Sequence, residues 1–152
     1  MTPLHGKVVF ITAAAAAVER FGGIDVVVAN AGIASYGSVL EVDPEAVKRV
    51  LEVNLLGVFH TVRATLPALL GRRGYVLIVS SLAAFAAAPG MAPYDMTKAG
   101  NEHLANALRL QVGHLGVSVG VAQMSCINTA MVRDTKVDVP TFAEQLAALH
   151  GR

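Results

Sequence analysis

A chain of 152 residues is long enough for one domain with a substantial core, and 54% hydrophobic against 15% charged residues indicates a densely packed globular protein. The net charge of +1, with both signs interspersed, gives no basic face, so we expect no nucleic-acid partner. A single cysteine excludes an intrachain disulfide and favours a reducing compartment, which predicts a cytoplasmic protein.

Signals for metal binding, membrane insertion and export are weak. The five histidines are scattered without the short spacings of a zinc site, so no metal is expected. No uninterrupted apolar run reaches the ~18 residues of a membrane span, so no membrane partner is expected either. Residues 8–18 follow Lys7 and resemble the apolar stretch of a secretory signal, but two glycines and a second strand-like run come next. A buried strand that leads into an alanine helix is therefore the favoured interpretation.

Two short β-branched runs stand close together near the start of the chain. Residues 7–12 and 24–29 each have the length and apolar character of a strand buried in a parallel sheet. A parallel pair needs a crossover connection. Residues 13–21 begin with five alanines and provide only a few helical turns before Gly22 and Gly23 end them. This connection is short for a crossover between two parallel strands.

A long helix over residues 44–70 is the next predicted element. Asp43 is a helix-capping residue, Pro44 suits the first helical position, and apolar residues recur at three- and four-residue steps. This spacing predicts one buried face. Its members are Val47, Val50, Leu51, Leu55, Val58 and Val62.

Strand and helix alternate in the same way further along the chain. Residues 75–79 form a predicted buried strand, and an apolar, alanine-rich loop follows it. Pro93 precedes a second long helix, which ends near Gly113 or Gly116. Residues 117–124 then form a fourth predicted strand.

This alternation predicts an α/β fold, with one domain over residues 1–152 that contains a doubly wound parallel sheet and helices on both faces. A mixed tail, residues 130–152, ends in a short amphipathic helix. In such sheets, ligands bind beyond the carboxyl ends of the strands. The residues at those ends are Thr12, Asn30, Ala31, Gly32, Ser80, Ser81 and residues 125–129.

Tyr94 and Lys98 form the most informative pair of side chains. Because they are four residues apart on a predicted helix, they lie on one face about one turn apart. A phenol of pKa ~10 is a poor base at neutral pH, and a nearby ammonium favours the phenolate. Ser81 stands thirteen residues before Tyr94, at the carboxyl end of the third strand. The three residues together predict acid–base chemistry.

With these residues the chain resembles the short-chain dehydrogenase/reductase family, whose nicotinamide-dependent members carry Tyr-x-x-x-Lys and an upstream serine at the same spacing. Residues 29–32, Ala-Asn-Ala-Gly, resemble the family's Asn-Asn-Ala-Gly element. Residues 53–57, Val-Asn-Leu-Leu-Gly, resemble the helix segment that bears its fourth catalytic residue. Thr129 falls where the family contacts the nicotinamide amide. The matching elements occur in order over about residues 7–132.

The resemblance implies a Rossmann-like fold and a role for each matched residue. Tyr94 would exchange a proton with the substrate oxygen, Lys98 would lower the tyrosine pKa and bind the nicotinamide ribose, and Ser81 would hold the substrate carbonyl or hydroxyl. Asn54 would anchor a water in the proton relay, or it is simply a solvated helix residue. The implied contacts to NAD or NADP are Thr12, Asn30, Ala31, Gly32, Tyr94, Lys98, Ile127 and Thr129.

The segment after the first strand departs from the family pattern. The family has Thr-Gly-x-x-x-Gly-x-Gly there, a turn whose bare backbone admits the cofactor pyrophosphate to a helix N-terminus. This chain has Thr12 followed by alanine from 13 to 17, and some 60–70 residues of helix and strand are absent. Three explanations fit: alanines that stand for unidentified residues, an internal deletion, or a genuine replacement. The run of five alanines favours the first.

A second departure lies after the fourth strand. Ser125 and Cys126 stand where the family usually has Pro-Gly. Cys126 lies either beside the nicotinamide or, as we favour, in the interior as a small apolar residue.

The expected function is NAD(P)-dependent interconversion of a secondary alcohol and a ketone, with a small-molecule substrate. The alternative is a catalytically silent scaffold, a fragment that keeps the two long helices this family uses for subunit association but binds no dinucleotide. We expect a homotetramer or homodimer, because these helices carry more apolar surface than one sheet face covers. An apolar pocket wall is suggested by Leu82, Ala83, Phe85, Met91 and Met131.

Overall fold

The computed structural model describes residues 9–10, 14–125 and 127. Its strands are β1 (Val9–Phe10), β2 (Val26–Ala29), β3 (Tyr75–Ser81) and β4 (Ser118–Met124). Its α-helices are α1 (Ala14–Phe21), α2 (Pro44–Leu51), α3 (Gly57–Arg72) and α4 (Ala92–Val112). A π-helical turn, Glu52–Leu56, joins α2 to α3, and the 3-10 turns Leu82–Ala84 and Gly113–Leu115 follow β3 and α4.

The four strands form one parallel sheet in the order β1-β2-β3-β4. β3 lies between β2 and β4, and each of its residues from Tyr75 to Ser81 pairs with a residue of β4. Because all the strands are parallel, their carboxyl ends meet at one edge of the sheet. The predicted α/β fold with a parallel sheet is confirmed.

One face of the sheet carries the hydrophobic core. Alternate residues of β2 and β3 point to it, and Val27, Ala29, Val76 and Ile78 are at most 3% exposed. α3 and α4 pack on the same face and complete a single buried cluster, and α1 contacts α3. The intervening residues of the two strands are only partly buried or exposed. Among the described residues, therefore, helices cover one of the two sheet faces that the sequence predicts to be covered.

A continuous helix from Pro44 to Arg72 corresponds to the element predicted at 44–70. Asp43 caps it as expected, since its side chain accepts a hydrogen bond from the Glu45 N–H at 3.1 Å. The π turn within it was not predicted. Such turns insert one residue into a helix and occur often at functional sites. This one contains Asn54, whose side chain is fully buried.

Three strand boundaries differ from the predicted ones, and the smallest difference is that β4 begins at Ser118, one residue later than predicted. β3 continues two residues beyond residue 79, because Ser80 and Ser81 pair with Gln123 and Met124 of β4. β2 begins at Val26, two residues later than predicted. The predicted boundaries of α4 are close to those observed, Ala92–Val112.

The helix from Pro44 to Arg72 is 29 residues long and contains an 18-residue window of mean hydropathy 1.3, enough to cross a membrane by length and composition alone. It passes this test although no uninterrupted apolar run is that long, because isolated polar residues are tolerated in the window. Core helices of soluble proteins pass it as well, and 28% of this window is buried. Val58, Val62 and Leu69 pack in the core. The expected absence of a membrane partner stays a prediction.

Candidate active site

The carboxyl ends of the strands bring several predicted site residues to one edge of the sheet. Residues 30–32 follow β2, Ser81 ends β3, and α4 carries Tyr94 and Lys98 past that end. Ile127 follows β4 and is 49% exposed. The positions outside the described residues are Thr12, Cys126, Thr129 and residues 130–152. Their expected roles stay predictions.

Lys98 reaches from α4 across the end of β3. Its Nζ lies 5.4 Å from the centroid of the Tyr94 ring, which places both side chains on one helix face as their spacing predicts. Nζ also donates a hydrogen bond to the Val79 carbonyl at 3.0 Å. Lys98 is only 5% exposed, and this burial lowers the pKa of its ammonium below the ordinary value.

Ser81 stands at the point where β3 ends and a 3-10 turn begins. Its Oγ accepts a hydrogen bond from the Ala83 N–H at 3.2 Å, so the side chain caps that turn. The Ser81 side chain is close enough to the Tyr94 hydroxyl to lower the pKa of the phenol. Ser81 and Tyr94 therefore lie near each other at this end of the sheet, where a substrate oxygen could bind both.

The pKa of the Tyr94 phenol lies above its ordinary value of 10.0. Burial is the largest cause, the neighbouring Ser81 side chain lowers the pKa, and charge on Tyr36 and Asp95 raises it further. The net direction is opposite to the one expected from the Lys98 ammonium. The physical reason is that removal of the phenolate from water outweighs the stabilising effect of Ser81.

Asn54 connects the π turn to the segment after β2. Its Oδ1 accepts from the Ile33 N–H at 2.7 Å, and its Nδ2 donates to the Ile33 carbonyl at 2.8 Å and to Thr97 Oγ1 at 3.2 Å. The side chain is 0% exposed, which excludes the alternative of a solvated helix residue. These bonds fix the chain just after Gly32.

Three further polar side chains of this site are buried; Thr97 and Asn101 were not predicted from the sequence, and Ser80 was named only as a strand-end residue. Ser80 Oγ donates to the Lys98 carbonyl at 3.1 Å, and Thr97 Oγ1 donates to the Tyr94 carbonyl at 2.7 Å. Asn101 Nδ2 donates to the Asn54 carbonyl at 3.0 Å. A signal for two of them was present, because Thr97 and Asn101 follow Tyr94 at helical steps on the buried face of α4.

The described residues fit the nicotinamide end of a dinucleotide. Residues 30–32 are exposed beside Lys98, and a Cβ on Gly32 would lie 3.5 Å from Asn54 Oδ1 and 3.8 Å from Lys98 Nζ. Glycine therefore keeps the space next to the ammonium open. The pyrophosphate end does not fit in the same way, because α1 begins at Ala14 within a run of alanines and has no glycine in its first turn.

The described part of the chain has no group of three or more His, Cys, Asp or Glu side chains that could hold a metal ion. The expectation that the protein uses no metal stays a prediction for the remaining residues.

Comparison with known proteins identifies the family. The family model of the short chain dehydrogenases matches residues 7–139. An uncharacterized NAD-dependent oxidoreductase of Mycobacterium tuberculosis is 36% identical over 136 residues, which are 88% of this chain and 49% of that protein. Trans-4-hydroxycyclohexanecarboxylate dehydrogenase of Sinomonas cyclohexanicum is 33% identical over 124 residues, 82% of this chain and 48% of that protein.

Solved structures agree with these relatives. An alcohol dehydrogenase from the archaeon Thermococcus sibiricus, complexed with 5-hydroxy-NADP, superposes with a TM-score of 0.73 at 30% identity over 76% of this chain and 48% of that one. A short-chain type dehydrogenase/reductase from Mycobacterium marinum gives a TM-score of 0.75 at 25% identity over 83% of this chain and 51% of that one. The chain thus spans about half the length of the relatives it matches. It belongs to the short chain dehydrogenase family.

Proposed function

We propose that the protein is an NAD(P)-dependent oxidoreductase that interconverts a secondary alcohol and a ketone. The observation that carries the proposal is the meeting of Tyr94, Ser81 and Lys98 at the carboxyl end of the sheet, with the serine close enough to the tyrosine to lower its pKa and the ammonium 5.4 Å from the ring centroid. Named relatives that are dehydrogenases and oxidoreductases support the reaction class.

Ser81, Tyr94 and Lys98 each have a different role toward the substrate oxygen. Ser81 donates or accepts a hydrogen bond that orients the carbonyl or hydroxyl, and the Tyr94 hydroxyl gives it a proton or takes one from it. Lys98 holds positive charge beside the phenol and stabilises the phenolate that forms. The nicotinamide cofactor supplies the hydride chemistry when it is bound, and the protein orients it.

The raised pKa of Tyr94 bears on proton transfer. Burial disfavours the charged form of the phenol, so it is a weaker acid than a free tyrosine. Proton transfer in either direction therefore needs positive charge beside the phenol, and the Lys98 ammonium lies 5.4 Å from the ring centroid.

The proposed cofactor contacts are those at the strand ends. Asn30, Ala31 and Gly32 would approach the nicotinamide ribose beside Lys98, and Ile127 would lie on the opposite side, after β4. An NAD-dependent relative and a solved relative with an NADP-type ligand support either cofactor.

The second candidate function is the silent scaffold, and the alanine run after β1 favours it. If the chain in solution has these alanines in place of a glycine turn, it would associate through its helices and bind no dinucleotide.

The experiment that tests the proposed activity is Tyr94→Phe, made in protein that binds NADH or NADPH saturably. The substitution removes only the hydroxyl, and positioned acid–base catalysis is worth ~10²–10⁴-fold, so kcat should fall by about that factor while the fold is kept. Turnover of a panel of secondary alcohols and ketones with NAD(H) and NADP(H), followed by nicotinamide absorbance, measures it. Tyr75→Phe is the matched control, because Tyr75 is the first residue of β3 and lies at the amino ends of the strands, away from the site. A Tyr94→Phe enzyme that keeps more than about a tenth of the kcat would contradict the assignment.

A further inference from the structure

Asn101 is an unusual residue for its position. It is 0% exposed and lies one turn after Lys98 on the buried stripe of α4, which continues with Ala105 and Leu108. A buried amide costs free energy unless its polar atoms are paired. Asn101 Nδ2 is paired, but Oδ1 has no hydrogen-bond partner within the described residues. An apolar side chain would cost less here, so the amide indicates a role other than filling space.

The acceptor for Asn101 is the carbonyl of Asn54, inside the π turn Glu52–Leu56. The N–H of Gly57 reaches back to the Glu52 carbonyl, five residues earlier, so the ordinary α-helical bonding is interrupted. An irregular turn of this kind persists where surrounding contacts hold it in place. Asn101 supplies such a contact from a separate helix.

The side chain of Asn54 transmits that constraint to the rest of the site. Oδ1 and Nδ2 hold both backbone groups of Ile33, the residue after Gly32. Nδ2 also donates to Thr97 Oγ1, which in turn donates to the carbonyl of Tyr94. One hydrogen-bonded network therefore joins α4, the π turn and the segment that follows β2.

We propose that Asn101 is a positioning residue of this site: by holding the Asn54 carbonyl it keeps the π turn in place, and so sets the position of residues 30–33 against Tyr94 and Lys98. Without that bond the turn can relax to an α-helix by a shift of one residue, which rotates Asn54 by about 100° around the helix axis. Its amide then leaves Ile33. The inference rests on the proposed function only in that the positioned site is the catalytic one.

Amide hydrogen exchange of Ile33, followed by NMR on the chain without cofactor, tests the proposal. Asn101→Leu keeps the approximate volume and removes the donor, and the Ile33 N–H should exchange roughly 2- to 10-fold faster, the equivalent of one lost hydrogen bond. Leu108→Val is the matched control, because it weakens the same buried face of α4 without touching Asn54. Even where Leu108→Val loses as much global stability as Asn101→Leu, the exchange rate of its Ile33 N–H should be unchanged. Unchanged Ile33 exchange in Asn101→Leu would overturn the proposal.

The pH dependence of Ile33 protection in Asn101→Asp is the sharpest test. This variant also tests the proposal if Asn101→Leu fails to fold. A protonated carboxyl can donate its O–H to the Asn54 carbonyl, whereas an ionised one cannot donate and repels it. The protection of Ile33 should therefore approach the wild-type value at low pH and decline as the new carboxyl ionises. A residue that only fills space predicts no such titration, and its absence would refute the inference. Neither measurement needs turnover, so failure here leaves the Tyr94→Phe test of the proposed function standing.

Discussion

At the scale of single residues, burial governs the two titrating groups of the site. Lys98 is 5% exposed and its pKa is lowered, while the pKa of the half-buried Tyr94 phenol is raised. Both shifts favour the neutral forms of the side chains, because each charge is removed from water. The ammonium is kept in this position by one hydrogen bond to the Val79 carbonyl and by the aromatic ring beside it. We expect the buried ammonium to lower the stability of the fold, as groups placed for catalysis often do.

Lys98→Met tests that expectation. The thioether keeps most of the apolar stem and removes the buried charge, so at pH 7 the variant should be more stable by about 0.5–2 kcal/mol. Because the folded pKa of Lys98 lies below 10.5, the folded state releases this proton first, and wild-type stability gains from it as pH rises through that folded pKa toward 10.5. The advantage of Lys98→Met should therefore shrink at alkaline pH. Urea unfolding at pH 7 and near pH 10 measures both effects.

Lys48→Met is the control for this comparison. Lys48 is an exposed lysine of α2 whose side chain is 63% accessible and lies 3.6 Å from the Glu45 carboxylate. Exposed pairs of this kind contribute little, so the control should change stability by less than about 1 kcal/mol at either pH. A Lys98→Met variant that is less stable than the wild type at pH 7 would show that burial of the ammonium is not the dominant cost.

At the scale of elements, the sequence predicts those structural features that depend only on residues close together in the chain. The cap at Asp43, the proline at residue 44 and the apolar spacing predict the helix and its first residue, and the Tyr94–Lys98 spacing predicts their shared face. The π turn could not be predicted, because its bonds to Ile33 and Asn101 come from distant parts of the chain. For the same reason the direction of the Tyr94 pKa depends on burial that no spacing reveals.

The junction between α3 and β3 offers a test of close packing. A Cβ on Gly74 would lie 2.6 Å from the Asp25 carbonyl oxygen and 2.6 Å from Leu69 Cδ2, and the carbonyl cannot move without disturbing the sheet. Gly74→Ala should therefore destabilise the fold by about 1–3 kcal/mol. In Gly71→Ala nothing lies within 4 Å of the new methyl group, and the helix should gain up to about 1 kcal/mol. Thermal unfolding of the two variants compares them, and equal effects would contradict this account of the junction.

At the scale of the whole molecule, the described chain is one helical layer on a four-stranded parallel sheet. Within the described residues the opposite sheet face lacks cover. The chain spans about half the length of its relatives. Large apolar side chains are also exposed on the helices: Phe59 is 42% exposed, Met96 52% and Leu110 85%. We propose that further copies of the chain cover this apolar surface.

Association predicts a defined oligomer. Light scattering at micromolar concentration should give two or four times the chain mass of 15.8 kDa. Leu110→Lys should shift the population toward the monomer, because it places a charge in the most exposed apolar position of α4. Gln111→Lys adds the same charge at the neighbouring exposed position and should have less effect. A monomer mass for the unmodified chain would contradict the prediction.

The central claim concerns the cofactor site. A fluorescence titration with NADH and NADPH, on protein whose intact mass has been measured, tests it most directly. The pyrophosphate needs backbone N–H donors at a glycine-rich helix start, and the chain has alanines there. Each lost charge-assisted hydrogen bond costs about 1.5–3 kcal/mol, so three weaken binding roughly 10³- to 10⁶-fold. A chain of 15.8 kDa should therefore show no saturable binding at millimolar cofactor, whereas a heavier chain that contains the glycine turn should bind at micromolar concentration. Saturable binding by the 15.8 kDa chain would contradict this account of the cofactor site, and no binding by the heavier chain would contradict the proposed function.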